Sequence, residues 1–217
     1  VTSLEALKPG NDINYLAIAG NIGAGKSTLT RLLSDHFKWT PYYESVEDNP
    51  YLEDFYEDMK RWSFNLQIYF LSSRFQNQVD ILKGGRNFIQ DRTIYEDVEI
   101  FAKNLFEMGL MEKRDYDNYS ALFRVLVQFI RPPDLLIYLR ADVSTLVRQI
   151  TSRGREFEKD IRIDYLERLN RHYETFVENY PYEKLIIETD NLDFVKNPED
   201  LGRIINMIEA RKFGLFS

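Results

Sequence analysis

The sequence predicts an α/β fold, a five-stranded parallel sheet flanked by helices with a phosphate-binding loop after its first strand. Three observations carry this. Five short apolar runs of β-rich composition, Tyr15–Ala19, Trp39–Tyr43, Asn87–Gln90, Leu135–Leu139 and Lys184–Ile187, alternate with stretches of helical periodicity, the pattern of parallel strands joined by helical crossovers. The segment Gly20-Asn21-Ile22-Gly23-Ala24-Gly25-Lys26-Ser27 fits the pattern GxxxxGK followed by Ser or Thr, and it lies between the first strand and the first helix, as its chemistry requires. At 217 residues, with no internal repeat and no linker rich in Gly, Ser or Pro, the chain is expected to be one domain over 1–217. A flexible N-terminal segment is expected over 1–14, and the chain opens on Val1, which leaves the completeness of that end open.

After the first strand, Leu29, Leu32, Leu33 and Phe37 recur at three- and four-residue steps, which makes Lys26–Phe37 an amphipathic helix. A second helix is expected over Asp54–Leu82, with Trp62, Leu66, Tyr69, Phe70 and Ser73 on one side, before Gly84-Gly85 turns the chain into the third strand. Helical patterns continue over Ile94–Glu107 and Asp115–Ile130. Pro132-Pro133 ends the latter and prepares the fourth strand, because proline lacks an amide hydrogen and keeps the residue before it extended. Further helices are expected over Val143–Arg153, Ile163–Asn179 and Pro198–Ala210.

Composition narrows the chemistry. The chain has no cysteine and two histidines, which excludes disulfides, thiolate metal sites and a cysteine nucleophile, argues against a histidine metal site, and suits a reducing cytoplasm. A net charge of −7 argues against a nucleic-acid polymer or an anionic membrane as partner, since both are held mainly by clustered Lys and Arg. No apolar run approaches the ~18–20 residues of a membrane span, and the start lacks a basic-then-apolar signal pattern.

In the glycine-rich loop the backbone can curl so that successive amides point at phosphate oxygens, aided by the helix dipole. Lys26 would reach the β- and γ-phosphates and Ser27 would ligate Mg²⁺. Gly20, Asn21, Ile22, Gly23, Ala24, Gly25, Lys26, Ser27 and Thr28 are thus the candidate ATP-phosphate residues. Glu44 follows the second strand and Asp91-Arg92-Thr93 the third, where open α/β sheets place their ligands. There is no NKxD motif of a GTPase, and Phe88-Ile89-Gln90-Asp91 only half resembles the acid-tipped strand of a motor ATPase. A small-molecule kinase fits better.

Glu44, Asp91-Arg92-Thr93 and Arg153-Gly154-Arg155, in this order after the P-loop, resemble the deoxyribonucleoside kinase family of P-loop kinases over about Tyr15 to Phe194. The resemblance implies transfer of the γ-phosphoryl group of ATP to the 5′-hydroxyl of a deoxynucleoside, in nucleotide salvage. It implies Glu44 as the base that accepts the hydroxyl proton and Arg92 as a clamp on that carboxylate and on the moving phosphate, a bidentate task suited to a guanidinium. Asp91, often Glu in the family, would orient Mg²⁺ through water. Arg153 and Arg155 would lie in a short lid over about 153–162 and neutralise phosphate charge. Asp193 and Phe194 would lie on the loop that approaches the adenine of ATP.

For the acceptor, Gln67 and Arg74 are seven residues apart on the second helix, hence on one face and ~10 Å apart. The resemblance makes Gln67 the reader of the base edge, Arg74 and Asp97 a charged pair in the same pocket, Phe101 a ring on the base, and Tyr56 with Glu158 the holders of the sugar 3′-hydroxyl. Taken singly, such residues are more often solvated or core. An ionised Asp97 accepts a hydrogen bond from an exocyclic amine and repels the carbonyl that thymine presents. Asn49-Pro50, where family members often carry tryptophan, is expected to leave room for a two-ring base. The order expected is deoxyadenosine, deoxyguanosine, deoxycytidine, then thymidine. A stripe of Tyr119, Leu122, Phe123, Leu126 and Ile130, widened by Val125, Val127 and Phe129, suits the sheet or a homodimer contact, and the family is commonly dimeric. The alternatives are a nucleoside-monophosphate kinase of thymidylate kinase type, which needs a further cation cluster, and a non-catalytic kinase-like subunit, which would have no use for intact Lys26, Ser27, Glu44 and Arg92.

Overall fold

Strand β1, Tyr15–Gly20, is buried along its whole length, as the central strand of a parallel sheet covered on both faces must be. In the computed structural model, which describes residues 13–44, 46, 48–84, 87–155, 158 and 161–212, four strands join it: β2 (Thr40–Tyr42), β3 (Phe88–Asp91), β4 (Leu135–Arg140) and β5 (Lys184–Glu188). All pairs are parallel, in the order β2-β3-β1-β4-β5. Side chains alternate between faces. Tyr15, Ala17 and Ala19 enter one core with Phe88, Leu136 and Tyr138, whereas Leu16 and Ile18 enter the other with Ile89, Ile137 and Leu139.

Helices α1 (Lys26–Phe37) and α9 (Pro198–Lys212) close the second core through Leu29, Leu33, Ile204 and Ile208. Helices α3 (Met59–Gly84), α6 (Lys113–Leu126) and α8 (Ile163–Asn179) close the first through Leu66, Tyr119 and Leu169. Helix α7 (Val143–Arg153) follows β4, and among the described residues no helix is long and apolar enough to cross a membrane. Strand order reverses at β1, so the carboxyl ends of β1, β2 and β3 open a crevice there. The glycine loop, Glu44 and Asp91-Arg92 sit at those ends.

The structure departs from several of the expected elements. The helix expected over Asp54–Leu82 is two, α2 (Leu52–Glu57) and α3, because Asp58 leaves helical geometry at φ −139° and ψ 82°. Its carboxylate then accepts the Arg61 amide at 3.0 Å, a local bond by which aspartate starts a helix. The buried side of α3 holds Gln67, Arg74 and Gln78 beside Leu66 and Phe70, while Trp62, Tyr69 and Ser73 are half-buried. Hydropathy counts those three polar residues as surface, but partners draw two of them inside: Asp97 pairs with Arg74 and the Tyr15 hydroxyl with Gln78.

The helix expected over Ile94–Glu107 forms, but α4 (Ile94–Glu96) and α5 (Lys103–Glu107) flank a π-helical turn, Asp97–Ala102. Such wide turns recur at functional sites. The stripe on Asp115–Ile130 divides: Tyr119, Phe123 and Ile130 are buried, while Leu122, Val125 and Phe129 are 41%, 54% and 50% exposed. Residues 1–12 of the expected N-terminal segment, Gly85 of the turn after α3, and 156–157 and 159–160 of the expected lid lie outside the described residues.

Candidate active site

Gly23 has φ +86°, and a Cβ there would meet Ile150 Cγ1 and the Leu146 carbonyl at 2.8 Å, so only glycine lets the loop turn against α7. The loop feeds directly into α1. Lys26 is 7% exposed and donates to the Asn21 carbonyl at 2.9 Å. Burial and then the Arg92 charge press its ammonium down to about 8. Asn21 is turned away, donating to the Leu166 carbonyl at 3.0 Å and to Asn170 Oδ1 at 2.6 Å. Ser27 Oγ donates to Asp91 Oδ2, and Asp91 Oδ1 is buried without a hydrogen-bond partner. A serine hydroxyl beside a carboxylate with an unused oxygen is a donor set that fits Mg²⁺.

Glu44 stands where the phosphate loop meets the cavity. Its Oε1 accepts from Arg74 Nη2 at 2.8 Å and lies 3.0 Å from Arg92 Nε. Burial alone would raise this carboxyl, but Arg92, Arg74 and Lys26 outweigh it and hold it down at about 2. Arg74 also donates through Nε to Asp97 Oδ2 at 2.5 Å. Asp97 is 1% exposed, and burial lifts its carboxyl to about 6 against the pull of Arg74. Arg92 carries a left-handed backbone at φ +66°, costly for a residue with a Cβ, and its guanidinium lies 4.3 Å from the Phe101 ring centre.

A cavity of ≈ 280 Å³ runs from the glycine loop inward. Of the residues singled out in the sequence, Ile22, Gly23, Gly25, Lys26, Ser27, Thr28, Glu44, Tyr56, Gln67, Arg74, Arg92, Asp97, Phe101, Arg153, Arg155 and Glu158 all line it. Gln67 Oε1 and Arg74 Nη1 are buried without a hydrogen-bond partner, and such groups cost free energy unless a ligand or water satisfies them. Arg153 is bound to Glu158 by bonds of 3.0 and 2.6 Å, and Arg155 Nη1 lies 3.5 Å from the same carboxylate. The apolar walls Leu52, Phe55, Leu66, Phe70 and Tyr165 escaped the sequence reading. Phe70 lies three residues from Gln67 and four from Leu66, a same-face spacing that carried the signal. Asn49 Oδ1 accepts the Tyr51 amide at 3.0 Å in the turn before α2, and Asn49 does not line the cavity, whereas Val46 and Leu52 do.

Across the glycine loop lies a second cavity, ≈ 390 Å³, bordered by Gly23, Ala24, Gly25, Thr28, Asp193 and Phe194. Arg148 and Gln149 of α7 also line it, unforeseen from their helix alone. Asp193 Oδ1 accepts the Lys196 amide at 3.0 Å, which fixes the loop. Gly20 ends β1, and neither it nor Asn21 lines either cavity. The two cavities, sharing the loop's backbone, can hold a phosphate chain between a base on one side and an acceptor on the other.

Comparison with known proteins matches residues 16–213 to the model of the deoxynucleoside kinase family. The chain is 41% identical over 207 residues to the deoxyadenosine/deoxycytidine kinase of Bacillus subtilis, covering 93% of this chain and 94% of that protein. It is 42% identical over 208 residues to the deoxyadenosine kinase of Dictyostelium discoideum, covering 93% and 84%. Among solved structures, deoxyadenosine kinase from M. mycoides with bound dATP superposes at a TM-score of 0.79, with 34% identity over 90% of this chain and 98% of that one. The same enzyme with the products dCMP and dCDP gives a TM-score of 0.82 at 33% identity, over 90% and 99%.

Proposed function

The chain belongs to the deoxynucleoside kinase family and is a deoxynucleoside kinase, and from that premise we propose that it moves the γ-phosphoryl group of ATP to the 5′-hydroxyl of deoxyadenosine in preference to other deoxynucleosides. The observation that carries this reading is Glu44, held ionised by Arg74 and Arg92 where the phosphate loop meets the cavity. The acceptor lies in the ≈ 280 Å³ cavity with its base against Gln67, Arg74 and Asp97 and its ring on Phe101. Tyr56 and Glu158 take the sugar. The adenine of ATP lies in the second cavity by Asp193 and Phe194.

At about 2, the Glu44 carboxyl is too acidic to remove the hydroxyl proton beforehand. It accepts that proton as the 5′-oxygen closes on the γ-phosphorus and the bond from phosphorus to the bridging β-oxygen breaks, so that no alkoxide forms. Such transfer proceeds through a loose transition state in which positioning and charge stabilisation dominate. Lys26, Arg92 and the lid arginines Arg153 and Arg155 supply the charge. Mg²⁺, held by Ser27 and Asp91, would neutralise phosphate oxygens when bound.

An amine-bearing base suits the acceptor-only Asp97 carboxylate, and relatives of this size include deoxyadenosine, deoxyguanosine and deoxycytidine kinases. The reading extends to one domain in a cytoplasmic homodimer, packed through Leu122, Val125 and Phe129, which are apolar and exposed on and just beyond α6. Competition among the four deoxynucleosides, read as kcat/KM with ATP, tests it. Deoxyadenosine should lead and thymidine should come last; thymidine in the lead would overturn it.

A further inference from the structure

Arg92 is gripped from the side away from Glu44 by two residues outside every motif. Its Nη1 donates to the Tyr173 hydroxyl at 2.5 Å, and that hydroxyl donates to Glu96 Oε1 at 2.8 Å. Arg92 Nη1 also lies 3.6 Å from the same Glu96 oxygen. The other oxygen, Oε2, accepts the Thr93 amide at 2.6 Å and the Thr93 hydroxyl at 3.0 Å. Both Glu96 oxygens are thereby engaged, and both Glu96 and Tyr173 are 0% exposed. The Tyr173 ring stacks on Tyr138 at 5.7 Å and 11° and meets the edge of Phe101, the ring that lies beneath the Arg92 guanidinium.

Arg92 is therefore shared between two carboxylates, Glu44 at the cavity and Glu96 behind it. The two differ in what the reaction does to them. Glu44 loses its charge when it takes the hydroxyl proton, and with it most of its hold on Arg92. Glu96 takes no part in that transfer: it does not line the cavity, and its oxygens are held by Tyr173 and Thr93. A cation anchored from behind stays in place while charge moves in front of it, and fixed charges of this kind stabilise a transition state without reorganising. The left-handed Arg92 backbone fits a side chain held at several points, since strain persists only where surroundings over-determine it.

We propose that Tyr173 and Glu96 are positioning residues for phosphoryl transfer: they hold the Arg92 guanidinium against the moving phosphate while Glu44 is being neutralised. The proposal rests on the roles given above to Glu44 and Arg92. It adds that α8, the helix following the lid segment, takes part in holding the clamp through Tyr173.

The test is a double-mutant cycle of Tyr173→Phe and Arg92→Lys. Phenylalanine keeps the stacked ring and removes only the hydroxyl. In the otherwise unchanged enzyme Tyr173→Phe should lower kcat roughly tenfold and leave KM for deoxyadenosine within about twofold. In the Arg92→Lys background it should cost nothing further, since a residue acting through Arg92 has nothing left to position. An unchanged kcat, or the same loss in both backgrounds, would overturn the proposal. Circular dichroism and thermal unfolding check that each variant folds, and Glu96→Gln runs through the same cycle if Tyr173→Phe does not. Glu44→Gln is measured beside them. If it retains normal turnover the underlying assignment fails; if it collapses while the cycle is additive, only the positioning role fails.

Discussion

Arg74 Nη2 lies 2.8 Å from Glu44 Oε1, so the guanidinium that pairs with Asp97 also grips the carboxylate at the mouth of the phosphate loop. On the roles proposed above, base recognition and proton acceptance are joined through one side chain. A change at Arg74 disturbs both at once, which decides how each can be probed.

Glu44→Gln keeps the shape and a hydrogen bond but cannot take a proton. Turnover should fall by roughly 10²–10⁴, the usual worth of a general base, while deoxynucleoside binding, measured by calorimetry, persists. A variant with near-normal kcat would remove Glu44 from this role.

Lys26→Ala deletes a cation that is buried against the loop carbonyl of Asn21. ATP-dependent activity should drop at least about 100-fold, the scale of losing one preorganised charge at the moving phosphate. Circular dichroism should stay unchanged, because the aliphatic stem contributes little to either core. Normal turnover in a folded variant would mean that the cradle is misassigned.

Thymidine exclusion should depend on Asp97. Because Arg74 also holds Glu44, the clean substitution is Asp97→Asn, whose amide can donate to a carbonyl while Arg74 keeps its contact with Glu44. The ratio of thymidine to deoxyadenosine kcat/KM should rise about tenfold, the scale of one gained or lost polar contact. An unaltered ratio would place discrimination elsewhere in the cavity.

The same carboxyl makes that ratio sensitive to pH. Burial lifts Asp97 to about 6 against Arg74 and Arg92, whereas Glu44, at about 2, stays ionised throughout the window. As pH falls from about 8 to about 5.5 the protonated fraction of Asp97 grows, and a protonated carboxyl donates to the thymine carbonyl. Thymidine should therefore gain relative to deoxyadenosine on the acid side, and Asp97→Asn should show no such trend. A flat profile in the parent enzyme would rule out Asp97 as the titrating reader.

Leu122, Val125 and Phe129 form an apolar surface on one side of α6 and the turn beyond it. Sedimentation at micromolar concentration should find a dimer, and Val125→Asp with Phe129→Asp should yield monomer, since like charges cannot be buried face to face. A monomeric parent chain would exclude this interface.

The features legible from the residues alone are local. The run from β1 through the glycine loop into α1 was legible because glycine spacing and a three- and four-residue apolar period act within a few residues of one another, and α1, α7 and α8 were placed to the residue. Glu44 and Asp91-Arg92 were legible because strand ends define the crevice. Where polar side chains turn inward depends instead on long-range packing. Tyr173 and Glu96 are 77 residues apart and meet only when α8 packs on the π-helical turn beside Glu96, and no periodicity along either helix marks a hydroxyl and a carboxylate as partners. Gln78 looks like a solvent-facing position on α3 until Tyr15 arrives from elsewhere to satisfy it, whereas the Arg74 and Asp97 pair, expected from the family resemblance, forms at 2.5 Å. Asn49 stays outside the cavity lining, its Oδ1 taken by the Tyr51 amide. Burial of a polar group is settled by whether a partner reaches it, and that partner is supplied by the fold.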